Sequence, residues 1–276
     1  MSKKKFLIIG NPLNHSLSPV LHEYWFRKYN IKAEYLLSEI KESEIGVVLD
    51  KIKNDEISGI NITLPYKKKV IPFLHKIVND AKLTGSVNTI FKDEENNLIG
   101  ENSDVYGLQA GYLNKIVDNE KRGKKALVLG AGGVAPSVIV SLKKSKIDLI
   151  YLSNRTYEKS LFLKKQFPFL QIIKWPELES KTGDFDIIVN ATSLGLKNSQ
   201  DFNFLFENYK KDLIFIDTIY NPKETKMIKH LKSKNIKTYN GLDMFIYQGQ
   251  KSFYFWHKIN PEIDNDLIEL LESKIK

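Results

Sequence analysis

Apolar residues fall along this chain in two rhythms. Short unbroken runs, such as Phe6 to Ile9 and Ala126 to Leu129, end in Gly, Asn or Pro and read as buried strands. Between them, apolar residues recur at helical spacing. Leu21, Trp25 and Phe26 mark a helix over 20–29, opened by Pro19 at its first position and capped by Ser18. A strand over 34–40 and a helix over 43–53 follow. Gly59 to Leu64 then alternates until Pro65 stops it, so Asn61 and Thr63 share one face and Ile60, Ile62 and Leu64 the other. The stretch from Gly85 to Ile90 opens a strand that folds back through the polar turn Asp93 to Asn97 into Leu98 to Gly100. That hairpin can bring Asn88 near Asp104, where a helix to about Val117 begins; Asp104 is also placed to cap that helix.

After the polar stretch Asn119 to Lys125 the alternation becomes regular. Strand 126–129, a helix through Val134, Val138 and Leu142, strand 148–152, helix 157–167, strand 170–174, strand 186–192, strand 213–217, helix 225–234 and strand 236–239 follow in turn. Regular β/α alternation predicts a doubly wound parallel sheet. The tail differs: Asp243 to Lys258 is a long helix dense in aromatics, which the pattern assigns to core, and a last helix spans 261–274.

The first strand of the regular half runs straight into Gly130-Ala131-Gly132-Gly133 and a helix. A turn this tight wants residues without Cβ, and backbone N–H groups at a helix start attract a pyrophosphate. Pro136 fits a first helical turn, where its missing N–H has no partner. The next strand ends in Ser153-Asn154-Arg155-Thr156. A dinucleotide fold selecting NAD places an acid there for the ribose 2′-hydroxyl. Here Arg155 stands instead, and a guanidinium fork suits the 2′-phosphate of NADP.

The 276 residues allow one large or two ordinary domains. The absence of cysteine removes disulfides and thiolate chemistry, and the scattered histidines His15, His22, His75, His230 and His257 show no ligand spacing, so no metal is expected. The net charge of +9 comes from lysines spread over the whole chain, which suits anionic small molecules better than nucleic acid. The opening MSKKKFLIIGNP is too short in its apolar run for a signal peptide, and no run approaches membrane-spanning length, so the cytoplasm is the expected location.

Several polar clusters remain. Ser16 and Ser18 sit beside a helix start, where hydroxyls either cap the helix or bind a carboxylate. Lys67 follows the Asn61/Thr63 face, inside a run of three lysines. Gln248 lies in the aromatic tail helix.

The order HSLSP, NITLPYK, GSVNT, NSDVYG, GAGGVA, NRT, NATSLG, DTIYNP, DMFIYQG resembles the shikimate dehydrogenase family from Gly10 to about Phe255. The resemblance implies an α/β protein of two domains. One is a Rossmann-type doubly wound parallel sheet over 105–242. The other is an α/β substrate-binding domain over 1–104, completed by helices 243–276, with a cleft between the two. It implies reversible NADP-linked reduction of 3-dehydroshikimate. Lys67 and Asp104 would be the catalytic pair. Ser16 and Ser18 would hold the substrate carboxylate, and Thr63 and Asn88 the ring hydroxyls. Asn61, Tyr220 and Gln248 would also contact substrate. Gly130, Ala131, Gly132, Gly133 and Val134 would take the pyrophosphate; Asn154, Arg155 and Thr156 the adenosine phosphate; Asn190, Ala191 and Thr192 the nicotinamide side. Ser103 stands where the family usually has Thr, and Ser86 where it usually has Ala. The expected assembly is a monomer or homodimer. The competing readings are a quinate/shikimate dehydrogenase using NAD, and a catalytically inactive NADP-binding module.

Overall fold

The fold is described from a computed structural model, for residues 3–13, 16–116, 123–197 and 199–275. The chain forms two compact units: Met1–Tyr106 with Ile246–Lys274, and Gly107–Phe245 with Ile275–Lys276. Its path passes from one to the other inside two helices, Ser103–Gly111 and Leu242–His257.

In the first unit, β1 (Lys4–Gly10), β2 (Ala33–Glu39), β3 (Gly59–Ile62), β4 (Lys76–Ile77), β5 (Thr89–Lys92) and β6 (Leu98–Glu101) form one mixed sheet in the order β2-β1-β3-β5-β6-β4. β1 is parallel to β2 and β3, and the β5–β6 hairpin is antiparallel. Burial explains the sequence rhythm. β3 is buried along its length, whereas edge strand β2 buries Tyr35 and exposes Leu36 and Leu37. One sheet face packs on helix Ile45–Lys53 through Ile45, Val48, Leu49 and Ile52. An aromatic cluster of Phe6, Trp25, Phe26, Tyr35 and Phe253 forms a second packed region, with Tyr35 stacked on His22 at 4.5 Å. Trp256 joins it and donates its indole N–H to the Ile90 carbonyl at 3.1 Å.

In the second unit, β7 (Lys125–Leu129), β8 (Leu149–Ser153), β9 (Gln171–Ile172), β10 (Ile187–Asn190), β11 (Ile214–Asp217) and β12 (Lys237–Tyr239) are all parallel, in the order β12-β11-β10-β7-β8-β9. This is the doubly wound Rossmann order, and its direction of travel reverses between β7 and β10. The apolar central strands are buried as parallel strands covered on both faces should be.

Several boundaries move. Ser18 does not cap the first helix: the helix is Ser18–Lys28, its cap residue is Leu17, and the Ser16 hydroxyl accepts from the Ser18 N–H at 3.3 Å. Asp104 is likewise inside its helix, Ser103–Gly111, and its N–H donates to Asn102 Oδ1 at 3.1 Å. That helix is followed by a 3-10 turn, Leu113–Lys115; the expected end at Val117, and the stretch from Asn119 to Arg122, lie outside the described residues. The strand expected from Gly85 begins at Thr89, the one over 170–174 shortens to Gln171–Ile172, and the last helix shortens to Asn265–Glu272. The tail aromatics are only partly core: Phe253 is buried, while Tyr254 is exposed. No helix among the described residues is long and apolar enough to cross a membrane.

His22 is fully buried and neither ring nitrogen has a hydrogen-bond partner. Burial, with nearby His257 adding to it, lowers its pKa to about 3. The unfolded chain takes up this proton near pH 6.5, and the folded chain refuses it until about pH 3. Stability is therefore lost as pH falls below 6.5, by about 2 kcal/mol from this group between pH 6.5 and 5. His22→Phe keeps a ring against Tyr35 and should flatten this acid limb. Urea midpoints of both proteins at pH 7 and pH 5 check it; equal losses would show that His22 is not the group.

Candidate active site

Two groups of polar residues emerge, one in each unit. In the first unit they lie at the carboxyl ends of β1 and β3. Gly10 ends β1, and a Cβ there would meet Thr63 Cγ2 at 2.3 Å. Glycine thus lets the chain following β3 lie against the end of β1, tied by the Thr63 N–H to Ile9 carbonyl bond of 2.9 Å. The loop leaving Gly10 is pinned by Glu39, whose carboxylate accepts from the Leu13 N–H at 2.6 Å. It carries half-buried Ser16, whose hydroxyl bonds that of buried Ser18 at 3.2 Å.

Lys67 and Asp104 meet at 2.5 Å, with side chains 13% and 9% exposed. Removing either partner would strand a largely desolvated charge. The second oxygen of Asp104 accepts from Asn88 Nδ2 at 2.8 Å. The Asn88 amide has only one possible orientation. Its Oδ1 accepts from the Ser103 backbone N–H at 2.7 Å, and a backbone N–H can only donate. The amide nitrogen must then face Asp104. The Ser103 hydroxyl also reaches Asn88 Oδ1, at 3.1 Å, and Gln248 Oε1, at 3.5 Å.

Asn61 sits behind this cluster, 5% exposed. Its amide nitrogen donates to the Asn88 carbonyl at 3.0 Å and to Ser252 Oγ at 3.0 Å, and its oxygen accepts from the Tyr35 hydroxyl at 2.7 Å. Thr89 bridges Ser252, at 2.8 Å, and Asn88 Oδ1, at 3.1 Å. Tyr35, Thr89 and Ser252 were not among the expected residues. Tyr35 reads as an apolar strand position, and burial pushes its hydroxyl well above the usual phenol range. Ser252 comes from the tail helix, 191 residues from Asn61.

The second group lies at the strand-order reversal of the second unit. Gly130 has φ +102, and a Cβ on it would meet Thr192 Cγ2 at 2.7 Å and the Ala191 carbonyl at 2.9 Å. Over exposed Gly132, by contrast, the nearest such contact is 3.9 Å away. The loop therefore offers an open backbone surface at the start of helix Ala135–Lys144, and Pro136 lies in that helix's first turn. This fits a pyrophosphate. Asn154 pins the loop by accepting from the Ala131 N–H at 3.0 Å. Arg155 is exposed and donates to Gln200 at 3.2 Å, and Thr156 precedes helix Tyr157–Gln166. Asn190 closes the turn after β10, accepting from the Thr192 N–H at 3.0 Å and hydroxyl at 2.7 Å. Tyr220 packs on Phe245 at 4.8 Å.

Residues 8–90 match the model of the shikimate dehydrogenase substrate binding domain, and residues 112–243 that of shikimate / quinate 5-dehydrogenase. The chain belongs to the shikimate dehydrogenase family. It is 50% identical over 270 residues to a protein of Pelagibacter ubique named shikimate dehydrogenase (NADP(+)), covering 98% of this chain and 99% of that one. The crystal structure of shikimate dehydrogenase from Aquifex aeolicus superposes with a TM-score of 0.86 at 34% identity, covering 99% and 97% of the two chains. The Thermus thermophilus enzyme, solved with NADP(H) and shikimate, gives a TM-score of 0.87 at 27% identity, covering 99% and 100%.

In this shikimate dehydrogenase family member, Asn88→Asp is nearly isosteric but replaces the donor facing Asp104 with a second carboxylate oxygen. Two carboxylates at this distance cannot both stay ionised without cost. The substitution should lower stability by about 3 kcal/mol at pH 8, of the order found when a buried pair is broken. Thermal melts at pH 8 read this; an unchanged melt would refute the assigned amide orientation.

Proposed function

We infer that this chain is an NADP-dependent shikimate dehydrogenase, an oxidoreductase that reversibly reduces 3-dehydroshikimate to shikimate on the route to chorismate and the aromatic amino acids. The observation that carries this reading is the Lys67–Asp104 pair, fixed by Asn88, in a chain of this family. The unit Met1–Tyr106 with Ile246–Lys274 binds the substrate, and Gly107–Phe245 binds the cofactor.

Ser16 and Ser18 donate hydroxyl hydrogen bonds to the substrate carboxylate. Thr63, Asn88 and Asp104 hold ring hydroxyls, with Asn61, Gln248 and Tyr220 completing the contacts. Lys67 gives a proton to the reacting oxygen as the ketone is reduced, and takes it back as the alcohol is oxidised. Its positive charge stabilises the alkoxide character that develops there. Asp104 keeps the ammonium aimed at that oxygen. NADP, when bound, supplies the hydride chemistry. Gly130, Ala131, Gly132, Gly133 and Val134 hold its pyrophosphate, Asn154, Arg155 and Thr156 its adenosine phosphate, and Asn190, Ala191 and Thr192 its nicotinamide side. The protein works in the cytoplasm as a monomer or homodimer. Its partners are small molecules, consistent with a net charge of +9 that is spread rather than clustered.

Lys67→Met keeps the bulk of the side chain and removes its charge and proton. Acid–base groups contribute about 10²–10⁴-fold, so kcat for shikimate oxidation should fall by at least that order while KM moves much less. Lys68→Met and Lys69→Met are controls for a general field effect. Equal losses in all three, or a near-normal kcat in Lys67→Met, would remove Lys67 from catalysis.

Arg155 is expected to recognise the 2′-phosphate. Arg155→Ala should raise KM for NADP and leave NAD use nearly untouched. Steady-state kinetics with both cofactors decide it, since equal penalties would make the role structural.

A further inference from the structure

Asp217 ends β11 and is completely buried. One carboxylate oxygen accepts from Asn190 Nδ2 at 3.0 Å and from the Ile219 N–H at 3.1 Å. The other accepts from the Thr225 hydroxyl at 2.9 Å. Among the described residues no lysine or arginine pairs with it; all three donors are neutral.

These donors belong to three separate segments. Asn190 closes the turn after β10, Ile219 starts the turn after β11, and Thr225 caps helix Lys226–Ser233 by accepting from the Ile228 N–H. Asn190 passes the constraint on. Its nitrogen donates to Asp217 and to the Leu194 carbonyl, at 3.2 Å, its oxygen holds the Thr192 N–H and hydroxyl, and that hydroxyl accepts from the Leu194 N–H at 3.0 Å. Thr192 is the residue a Cβ on Gly130 would strike. A line of contacts thus runs from Asp217 through Asn190 and Thr192 to the glycine loop.

We propose that Asp217 is a positioning residue for cofactor binding, whose ionised carboxylate tethers Asn190 and thereby steadies the Thr192 wall beside the glycine loop. This rests on the cofactor reading above.

Burial raises the Asp217 pKa to about 7, against the pull of its three donors. A proton can be accommodated: on the oxygen facing Thr225 it would donate to that hydroxyl, which would turn its own hydrogen away. The Asn190 bond then loses its ionic assistance, and such bonds are about twice as strong with a charged acceptor. The neighbouring titratable groups do not compete. Tyr112 senses the Asp217 charge but is itself held neutral by burial. On the capped helix, Lys226 turns to Asp201, His230 to the Phe206 carbonyl and Lys232 to Glu224. Asp243 pairs with Lys115.

Asp217→Asn imitates the protonated acid. Its oxygen can still accept from Asn190 and Ile219, and its nitrogen can donate to Thr225. NADP affinity, read by fluorescence quenching without shikimate, should match wild type at pH 6. At pH 8 wild type should bind about fivefold more tightly, the gain of a charge-assisted over a neutral hydrogen bond. Parallel affinities from pH 6 to 9 would overturn the proposal. Should the Asn variant not fold, Thr225→Val removes one donor to the carboxylate. It should move the pH at which NADP affinity rises to a higher value, and an unmoved midpoint would equally overturn it. A wild type that binds NADP but does not oxidise shikimate would defeat the functional reading alone.

Discussion

An amide side chain has one end that donates and one that accepts, and at Asn88 a single backbone N–H decides which is which. Ser103 opens its helix with an N–H that needs an acceptor, and Asn88 Oδ1 supplies it at 2.7 Å. The amide nitrogen is left for Asp104, and the other Asp104 oxygen is left for Lys67. One helix-terminal N–H therefore fixes the direction of the Asn88–Asp104 bond. The Asn88 carbonyl serves the same end: it accepts from the Ile62 N–H at 2.8 Å and from Asn61. The residue is locked by its backbone as well as its side chain.

The second unit repeats this logic with a different donor set. Asn190 also uses its two amide ends for two different jobs, its nitrogen turned to Asp217 and its oxygen to Thr192. In both units an asparagine next to a strand end turns its amide nitrogen to a buried aspartate and its oxygen to a backbone N–H. The difference lies in compensation. Asp104 has a lysine beside it; Asp217 has only neutral donors, and burial lifts its pKa accordingly.

What was legible in the sequence follows from which forces are local. The glycine loop could be read because Gly130 needs a conformation and a closeness of approach that other residues refuse. The central strands could be read because burial on both faces demands unbroken apolar runs. The nearness of Asn88 and Asp104 followed from a hairpin closed by a polar turn. Tyr35 and Ser252 were not legible: nothing in an apolar strand rhythm says that one hydroxyl will find Asn61, and nothing local joins the tail helix to β3. The cap of helix Ser103–Gly111 was misplaced because Asn102, Ser103 and Asp104 are all competent cap residues, and only the fold selects Asn102. The short turns Trp175–Glu177, Leu178–Lys181 and Thr182–Asp184 are too brief to show a period.

The discontinuous first unit also has a history in time. A chain leaves the ribosome in order, and domains fold as their parts become available. Met1–Tyr106 emerges first, yet Phe253 of its aromatic cluster, Ser252 of its polar network and the Trp256 indole that holds Ile90 arrive only after Gly107–Phe245 has been made. The segment that starts first is thus the one finished last. Until residues 246–274 appear, Trp25, Phe26 and Tyr35 lack their covering helix, so the nascent chain carries an open aromatic face through most of its synthesis.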